Sequence, residues 1–449
     1  MVPPLSMNWA EKQYQGDVQR LAWHESHGTL ESHGSPEKTD HATQQPLRRT
    51  PNANFSLCSG GSSLMSREMI ERIAPGSTIG VLGGGQLGRM FGIAARRLGY
   101  RVHTYEASPD SPAGQISDRE FTGSYTDEAA IAEFVDSVDV ITFEFENIPA
   151  VVLDWIATKK PIHPRSEVLH ICQNREREKA FLRANGYPTA SFRVVGNEDE
   201  LKVALEEVGY PAVLKTADFG YDGKGQQKIR TAADADYTPY LGGKAVLEGW
   251  VDFRCEISIV AARGADGTVS TFPAAENVHS RHILDYSVIP ARVPDRIQRE
   301  ASEVARSIAT DLDVVGLIAV EFFVTTDGEL LVNELAPRPH NSGHYTFDAC
   351  ITSQFEQQLR AVCGHPFGSP ELLVPTVMVN LLGDLWNDGR PPDWLPILAQ
   401  PRTKLHLYGK LEGRVGRKMG HYCVLGPTLA EAFEVAMNIK SKIHRASLV

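Results

Sequence analysis

Two glutamates in the second half of the chain are spaced so that they could share one cation. Glu321 and Glu334 flank Asp327-Gly328, a dipeptide that favours a two-residue type I′ turn in which Thr326 pairs with Glu329. Counting outward, Glu321 falls opposite Glu334, and facing carboxylates about 5 Å apart at Cβ repel each other unless a cation or a shared proton lies between them. Oxygen ligands favour Mg²⁺ or Mn²⁺ over zinc. A bulge that shifted the register would instead leave both glutamates facing solvent.

A glycine-rich loop farther upstream could bind phosphate. Gly220, Gly223 and Gly225 in the sequence GYDGKGQ let backbone N–H groups approach an anion, Lys224 adds positive charge, and Lys215 ends the preceding strand. The loop does not have the Walker spacing before a helix. Alone, it is also typical of an ordinary hairpin turn.

A second glycine pattern near residue 83 leaves another activity open. Gly83, Gly85 and Gly88 follow an apolar strand and precede a helix, and Glu106 ends the next strand. This arrangement matches the dinucleotide fingerprint and would suit an NAD-dependent oxidoreductase. The same glycines also serve any tightly packed βαβ turn or a small phosphate site.

A basic cluster near the C-terminus stands out in an acidic chain. It lies in the sequence KLEGRVGRKMGH and comprises Lys410, Arg414, Arg417, Lys418 and His421. Charged runs of this kind usually form a solvated face. The interleaved glycines also suggest a loop that wraps a phosphate.

The composition of the 449-residue chain is that of an ordinary globular protein with several domains. A formal net charge of −11 and a pI near 5.8 oppose nucleic-acid binding over most of the surface. Six cysteines without a C-x-x-C pair favour free thiols over a disulfide framework, and no apolar run is long enough to cross a membrane. We therefore predict a cytoplasmic protein that binds neither nucleic acid nor membrane.

The order of predicted elements indicates a multidomain α/β and α+β protein. Residues 1–73 lack periodic apolar positions and are predicted to be a disordered extension. A βαβ unit begins at Ser77 and a further strand is expected at 139–145, so a parallel α/β domain should span 74–170. A helix at 197–209 and two short strands around the glycine-rich loop predict a small flexible lid. Two further long helices are predicted, at 295–312 and 429–443.

Four motifs together resemble one enzyme family. They are VLGGGQLGRM from residue 81, GYDGKGQ from 220, ELAPRPHNSGHYT from 334 and GRKMGH from 416. With these motifs in order, residues 77–445 resemble the N5-carboxyaminoimidazole ribonucleotide synthetases, a family of ATP-grasp enzymes in purine biosynthesis. The resemblance implies an ATP-grasp fold with a Rossmann-like pre-ATP-grasp domain over 74–170, an ATP-grasp domain over 171–370 with a lid over 205–247, and a small β-rich C-terminal domain over 371–449.

The resemblance also implies which residues hold ATP and Mg²⁺ or Mn²⁺. The metal is expected on Glu321 and Glu334. The nucleotide is expected to contact the glycine-rich loop, a hinge beyond it and several single residues, namely Arg175, Lys215, Gly220, Tyr221, Asp222, Gly223, Lys224, Gly225, Gln226, Glu248, Gly249, Trp250, Val251, Glu256, His279, Asn333 and Glu334.

The reaction implied by the resemblance joins bicarbonate to an amine. Bicarbonate attacks the γ-phosphate of ATP to form carboxyphosphate, which delivers CO₂ to the 5-amino group of aminoimidazole ribonucleotide, and ADP and phosphate are released. Arg338 is the expected cation for bicarbonate, and Asp222 and His340 complete the expected catalytic set. His340 and His344 could equally serve only to organise their loop. The ribonucleotide is expected to bind at Gln86, Glu146, Lys410, Arg417 and Lys418.

Several expectations concern partners and alternative activities. The sequence ends without the mutase domain that fungal relatives carry, so a separate mutase is expected to act on the product, and we expect a homodimer. The nearest alternative is another ATP-grasp ligase, such as formate-dependent glycinamide ribonucleotide transformylase. The oxidoreductase above and a nucleotide-binding regulator without catalysis belong to different functional classes.

Overall fold

A computed structural model describes residues 72–218, 225–240, 243–386 and 389–446. The predicted N-terminal extension, apart from residues 72 and 73, and most of the glycine-rich loop lie outside these ranges. Within them, no helix combines the length and the apolar content needed to cross a membrane. The five cysteines that the structure describes are free thiols.

A parallel α/β unit forms the first part of the described chain. Its elements are β1 (Thr78–Leu82), α1 (Gln86–Arg97), β2 (Arg101–Glu106), β3 (Arg119–Thr122), α2 (Glu128–Asp136) and β4 (Val140–Phe143). The strands are parallel, in the order β3-β2-β1-β4. All four residues of β4 are buried, as expected for a parallel strand covered on both faces. The predicted βαβ unit and its following strand are confirmed.

A linking helical segment leads to a small antiparallel sheet. The elements are α3 (Ala150–Ala157), α4 (Ser166–Cys172), α5 (Arg175–Ala184), β5 (Phe192–Val195), α6 (Glu198–Val208), β6 (Ala212–Thr216), β7 (Gln226–Ile229) and β8 (Ala245–Gly249). The strand order is β5-β8-β6-β7. Asn174 and Asn197 cap the N-termini of α5 and α6, because each side chain accepts a hydrogen bond from a backbone N–H of the first helical turn.

The remaining strands form one large sheet. The elements are β9 (Phe253–Arg263), β10 (Val269–Thr271), β11 (Ala275–Ser280), β12 (Ile283–Ile289), α7 (Asp295–Asp311), β13 (Gly316–Thr325), β14 (Leu330–Ala336), α8 (Thr346–Ala349), α9 (Gln354–Val362), β15 (Thr376–Leu382), α10 (Leu395–Leu398), β16 (Thr403–Leu407), β17 (Lys418–Leu425) and α11 (Leu429–Ala446). The order is β14-β13-β9-β11-β12-β15-β17-β16, with β10 beside β9. Because β12 pairs with β15, the C-terminal strands continue the sheet that contains β13 and β14.

The helix α7 covers one face of this sheet through an apolar stripe. Ile297, Ala301, Ala305 and Ile308 are all buried and recur at helical spacing. They belong to one hydrophobic cluster with the inward-facing residues of β9, β13 and β14. This packing supports β13 and β14, the two strands that carry Glu321 and Glu334.

The hairpin formed by β13 and β14 has a different turn from the predicted one. The Thr325 N–H donates to the Glu329 carbonyl at 2.9 Å, and the Gly328 N–H donates to the Thr325 carbonyl at 3.0 Å. Gly328 has φ of +80°, so the loop is a three-residue turn that ends in a left-handed glycine. The predicted type I′ turn, with Thr326 paired to Glu329, is wrong.

A β-bulge at Asn333 corrects the register farther along the hairpin. Phe322 pairs with Val332, yet the next residue of β13, Glu321, pairs with Glu334. Asn333 is therefore the extra residue on β14. The predicted pairing of the two glutamates is confirmed.

Candidate active site

The carboxylates of Glu321 and Glu334 face each other across the hairpin. The Glu321 side chain is 17% exposed, and burial together with the charge of Glu334 raises the pKa of Glu321 to about 7. Two carboxylates in so poorly solvated a site are unfavourable unless a cation lies between them. Mg²⁺ and Mn²⁺ accept such oxygen ligands and complete their coordination with water and phosphate oxygens. The residues therefore fit a divalent metal bound together with a phosphate group.

Arg338 lies beside this pair and forms an ion pair with Glu146. Its Nε atom lies 3.0 Å from Glu146 Oε1, and its side chain is 18% exposed. Burial lowers the pKa of Arg338, but the charges of Glu146 and Glu334 outweigh burial and raise it. Because the guanidinium carries further N–H donors, it can hold Glu146 and still orient a small planar anion.

His340 is fixed against Glu321. Its Nε2 atom lies 3.3 Å from Glu321 Oε1, and its Nδ1 atom lies 2.9 Å from Ser342 Oγ. The His340 backbone N–H donates to Gln354 Oε1, and the Gln354 amide donates back to the His340 carbonyl. Burial and the charge of Arg338 hold the pKa of His340 well below its usual value. The imidazole is therefore neutral and tightly oriented.

Three stacked imidazoles support the loop behind His340. The His344 and His421 rings are parallel at 4.6 Å, and His421 stacks on His406 at the same distance. His406 Nε2 lies 2.7 Å from Asp348, and the Tyr408 hydroxyl lies 2.7 Å from His421 Nδ1. Burial lowers the pKa of His344 to about 3. These contacts favour an organising role for His344 over acid-base chemistry.

Lys215, Glu248 and Lys179 form a buried charge cluster at the lid end of the site. Lys215 Nζ lies 3.0 Å from Glu248 Oε2, and Lys179 Nζ lies 3.7 Å from the same oxygen. Burial alone would raise the pKa of Glu248, but Lys179, Lys215 and Arg175 lower it to about 2. Glu248 Oε1 is buried and has no hydrogen-bond partner among the described residues. That oxygen is available to a donor group on a nucleotide.

A narrow cavity lies beside Glu334. Its lining includes Glu146, Cys172, Arg175, Glu178 and Glu334. Burial lowers the pKa of Arg175, but the surrounding carboxylates, Glu334 foremost, raise it above its usual value. Arg175 therefore places a positive charge in the same cavity as Glu334.

The predicted hinge comprises residues 248–251, and its backbone and side chains contact the neighbouring strands of the small sheet. The Gly249 N–H donates to the Ser191 carbonyl at 2.8 Å, and Lys228 Nζ lies 3.4 Å from the centre of the Trp250 ring. Val251 is half-buried. These contacts fix Gly249 and Trp250, the residues that follow Glu248.

Glu256 and His279 form another pair near the glutamates. His279 Nδ1 lies 3.3 Å from Glu256 Oε2. Burial lowers the pKa of His279, but Glu256 and Glu321 outweigh burial and raise it. His279 therefore lies within electrostatic reach of Glu321.

Only the end of the glycine-rich loop belongs to the described residues. Gly225 has φ of +70°, and its carbonyl accepts the Thr216 N–H at 2.8 Å. Gln226 begins β7, and its Nε2 atom lies 3.3 Å from His282 Nδ1. The other predicted loop residues, Gly220, Tyr221, Asp222, Gly223 and Lys224, lie outside the described residues.

The C-terminal basic segment meets the start of α1. Lys410 Nζ donates to Gln86 Oε1 at 2.8 Å and to the Lys418 carbonyl at 2.7 Å. The positive charge of Lys418 lowers the pKa of His340 and opposes the raised pKa of Glu321, so Lys418 acts electrostatically on the candidate site. Arg417 instead donates to the Glu412 carbonyl within its own loop. The structure thus brings Gln86, Lys410 and Lys418 together and leaves Arg417 at the margin.

The glycine turn at residues 83–88, which matches the dinucleotide fingerprint, donates its backbone N–H groups to carboxylates of the protein. The Gly85 and Gly88 N–H groups both donate to Glu144, and the Gly84 N–H donates to Glu106 Oε2. In a dinucleotide-binding protein these N–H groups would face the pyrophosphate. Here Glu144 and Glu106 use them, which argues against the oxidoreductase.

Comparison with known proteins identifies three successive domains in the chain. Residues 76–173 match the ribonucleotide synthetase preATP-grasp domain, 180–355 the ATP-grasp domain, and 376–434 the phosphoribosylaminoimidazole carboxylase C-terminal domain. The N5-carboxyaminoimidazole ribonucleotide synthase of Bacillus subtilis (strain 168) is 48% identical over 359 residues, which cover 80% of this chain and 93% of that protein.

The chain belongs to the N5-carboxyaminoimidazole ribonucleotide synthase family. It is therefore an ATP-grasp ligase, and the predicted fold, with a preATP-grasp domain before the ATP-grasp domain and a C-terminal domain after it, is confirmed.

Solved structures of N5-carboxyaminoimidazole ribonucleotide synthases have the same fold. The ADP complex of one such synthetase is 43% identical, with a TM-score of 0.78 over 84% of this chain and 99% of that one. The Aspergillus clavatus enzyme in complex with ADP and 5-aminoimidazole ribonucleotide is 33% identical, with a TM-score of 0.75 over 82% and 99%.

Three charged residues that were not predicted from the sequence also contribute to the candidate active site. They are Glu144 under the glycine turn, Glu178 in the cavity lining and Lys179 beside Glu248. The spacing of Arg175, Glu178 and Lys179 could have revealed two of them, because residues three and four apart share one face of a helix. Glu144 follows a buried strand and carries no comparable signal.

Proposed function

We propose that this chain carboxylates the amino group of 5-aminoimidazole ribonucleotide, using ATP and bicarbonate, and gives N5-carboxyaminoimidazole ribonucleotide, ADP and phosphate. The observation that carries the proposal is the buried pair of Glu321 and Glu334 with Arg338 beside it. A metal-binding pair next to a guanidinium suits the transfer of a phosphoryl group to a small anion. The names of the relatives described above support the choice of substrates.

In this proposal the nucleotide lies between the lid and the large sheet. Glu248 Oε1 accepts from the base, Lys215 and Arg175 face the phosphates, and Glu256 with His279 lies toward the ribose. Mg²⁺, when bound to Glu321 and Glu334, would neutralise charge on the phosphate oxygens. Asn333 adjoins the pair on β14. Asp222 and the rest of the glycine-rich loop stay predicted contacts.

Arg338 holds bicarbonate for attack on the γ-phosphate. A bicarbonate oxygen forms a bond to phosphorus while the bond to the ADP oxygen breaks, which gives carboxyphosphate. Arg338 stabilises the negative charge on the bicarbonate carboxyl group, and Glu146 holds the guanidinium in place. Neutral His340, fixed by Ser342 and Gln354, keeps the adjacent wall of the site in position.

The second substrate lies toward α1 and the C-terminal basic segment. Carboxyphosphate separates into CO₂ and phosphate, the amine of the ribonucleotide forms a bond to the carbon of CO₂, and one amine proton is lost. Lys410, held by Gln86, and Lys418 lie where they could bind the ribonucleotide phosphate. Arg417 would join them if its loop turned inward, and Glu146, which pairs with Arg338, is a further proposed contact.

Other features of the proposal come from the sequence alone. The domain boundaries near residues 170 and 370, the homodimer, the cytoplasmic location and a separate mutase that uses the product stay predictions. Because an N-carboxylated amine readily loses CO₂, a partner that consumes it promptly would be useful.

The rate of ADP release, measured with different combinations of substrates, tests the proposed function. We expect release that requires bicarbonate and 5-aminoimidazole ribonucleotide together, with radioactive bicarbonate carbon found in the product. Release that requires formate and glycinamide ribonucleotide would contradict the proposal in favour of the transformylase. Tight NAD binding without Mg-ATP binding in a calorimetric titration would favour the oxidoreductase.

A further inference from the structure

The edge strand β14 obtains backbone partners from side chains of α5. It ends the large sheet, with β13 as its neighbour on the inner side. The Leu335 N–H donates to Glu178 Oε2 at 2.9 Å, and the Asn333 carbonyl accepts from Lys179 Nζ at 3.0 Å. A carboxylate and an ammonium group thus supply the acceptor and the donor that a neighbouring strand would otherwise provide.

Lys179 is completely buried, which is rare for a lysine. Its Nζ atom donates to Thr189 Oγ1 at 2.9 Å as well as to the Asn333 carbonyl, and it lies 3.7 Å from Glu248 Oε2. These three contacts match the three N–H donors of an ammonium group. Lys179 therefore acts on the site through other residues and not by touching a ligand.

The carbonyl that Lys179 binds belongs to the bulge residue itself. A bulge leaves backbone groups of the extra residue unpaired, and an unpaired buried carbonyl is costly. Without the bulge, the register of Phe322 with Val332 would continue, and Glu321 would lie opposite Asn333. Glu334 would then point to the other face of the sheet, because adjacent residues of a strand alternate.

We infer that Lys179 is a positioning residue for the glutamate pair, because it stabilises the bulge that brings Glu334 to the same face as Glu321. The inference rests on the proposed role of these glutamates as metal ligands. Through Glu248, Lys179 also fixes an acceptor at the nucleotide end of the site. Its loss therefore weakens the binding of metal and nucleotide together.

Manganese binding tests this role directly. Mn²⁺ is titrated into the full-length protein with saturating ADP, and the free ion is measured by electron paramagnetic resonance. Lys179→Met keeps an unbranched side chain that is one atom shorter and removes the ammonium group. The dissociation constant of Mn²⁺ should then rise about tenfold or more, the usual effect of losing a residue that supports a metal ligand. Higher Mg²⁺ concentration should restore ADP affinity in a calorimetric titration.

Two further variants separate positioning from stability. Lys179→Arg keeps a cationic donor and should recover most of the Mn²⁺ affinity, and Lys202→Met removes an exposed lysine on α6 and should bind Mn²⁺ as the wild type does. Where circular dichroism shows that Lys179→Met is unfolded, Lys179→Gln takes its place with the same expected loss.

The outcomes distinguish this inference from the proposed function. A folded Lys179→Met or Lys179→Gln protein with wild-type Mn²⁺ affinity overturns the inference, as does an arginine variant that binds as weakly as the methionine variant. A wild-type protein that binds neither Mn²⁺ nor ADP overturns the metal site itself.

Discussion

Glu321 lies opposite Glu334 because two departures from a simple hairpin cancel. The turn contains one residue more than predicted, which shifts the register by one position, and the bulge at Asn333 shifts it back. A bulge was the feature expected to separate the two carboxylates. In this hairpin it is the feature that brings them together.

Glu334→Gln should abolish turnover while the protein remains folded. ADP release with both substrates should fall about a thousandfold, because charge stabilisation by a bound metal is worth several kcal/mol. Glu329→Gln changes an exposed residue of the same hairpin and should retain the wild-type rate. A Glu334→Gln protein that turns over at a rate close to that of the control would argue against the metal role.

Gln86→Ala should weaken binding of the second substrate selectively. The substitution removes one of the contacts of Lys410, and a hydrogen bond to a charged group is worth about 1.5–3 kcal/mol. We expect the KM for 5-aminoimidazole ribonucleotide to rise about tenfold or more, with ADP affinity unchanged. Gln115→Ala is the control, because Gln115 donates to the Gly409 carbonyl in the same segment. An equal effect in both variants would point to a general loosening of the segment.

The stability of the protein should fall in mild acid because of the imidazole stack. The pKa of His344 is about 3 in the folded chain and about 6.5 when unfolded. The unfolded chain therefore binds the additional proton below pH 6.5, so the free energy of unfolding decreases as the pH falls from there toward 3. Between pH 7 and pH 5 the loss from this residue is about 2 kcal/mol.

Urea unfolding at the two pH values checks this prediction. In His344→Gln the difference between the unfolding free energies at pH 7 and pH 5 should be smaller than in the wild type by about 2 kcal/mol. His170→Gln changes an exposed histidine and should leave that difference unchanged. An unaltered difference in the His344 variant would show that the stack is already protonated at pH 5.

Gly85→Ala should destabilise the first unit of the fold. An added Cβ would lie 2.5 Å from Glu144 Oε1. The Glu144 carboxylate would therefore have to move away from the backbone N–H groups of Gly85 and Gly88, whose hydrogen bonds it accepts. We expect a loss of about 1–3 kcal/mol, the usual cost of overpacking, measured by urea unfolding. Gly243→Ala is the control, because its nearest neighbour lies 4.0 Å away. Equal stability of the two variants would mean that Glu144 moves freely.

Local sequence patterns predicted several of the helices and strands. The apolar spacing of α7 predicted a helix at 295–312, and the helix spans Asp295–Asp311. The expected strands on either side of the glycine-rich loop are β6 and β7, which pair as predicted. These segments could be predicted because each has a periodicity or a turn residue of its own.

Long-range contacts explain what the sequence could not reveal. Lys179 and Asn333 are 154 residues apart, and a lysine in a helical segment is normally exposed. Glu144 likewise meets Gly85 across 59 residues. The bulge escaped prediction as well, since its stabilising partner lies in a different part of the chain. Residues that hold the site in shape are thus harder to predict than those that line it.

The continuation of the large sheet from β12 into β15 has a consequence for synthesis of the protein. A nascent chain that has emerged through β14 already contains both facing glutamates, Lys179 and Glu248. It still lacks Lys410 and Lys418, which belong to the last part of the sheet and its loops. The residues proposed for the nucleotide are therefore available to fold earlier on the ribosome than those proposed for the ribonucleotide.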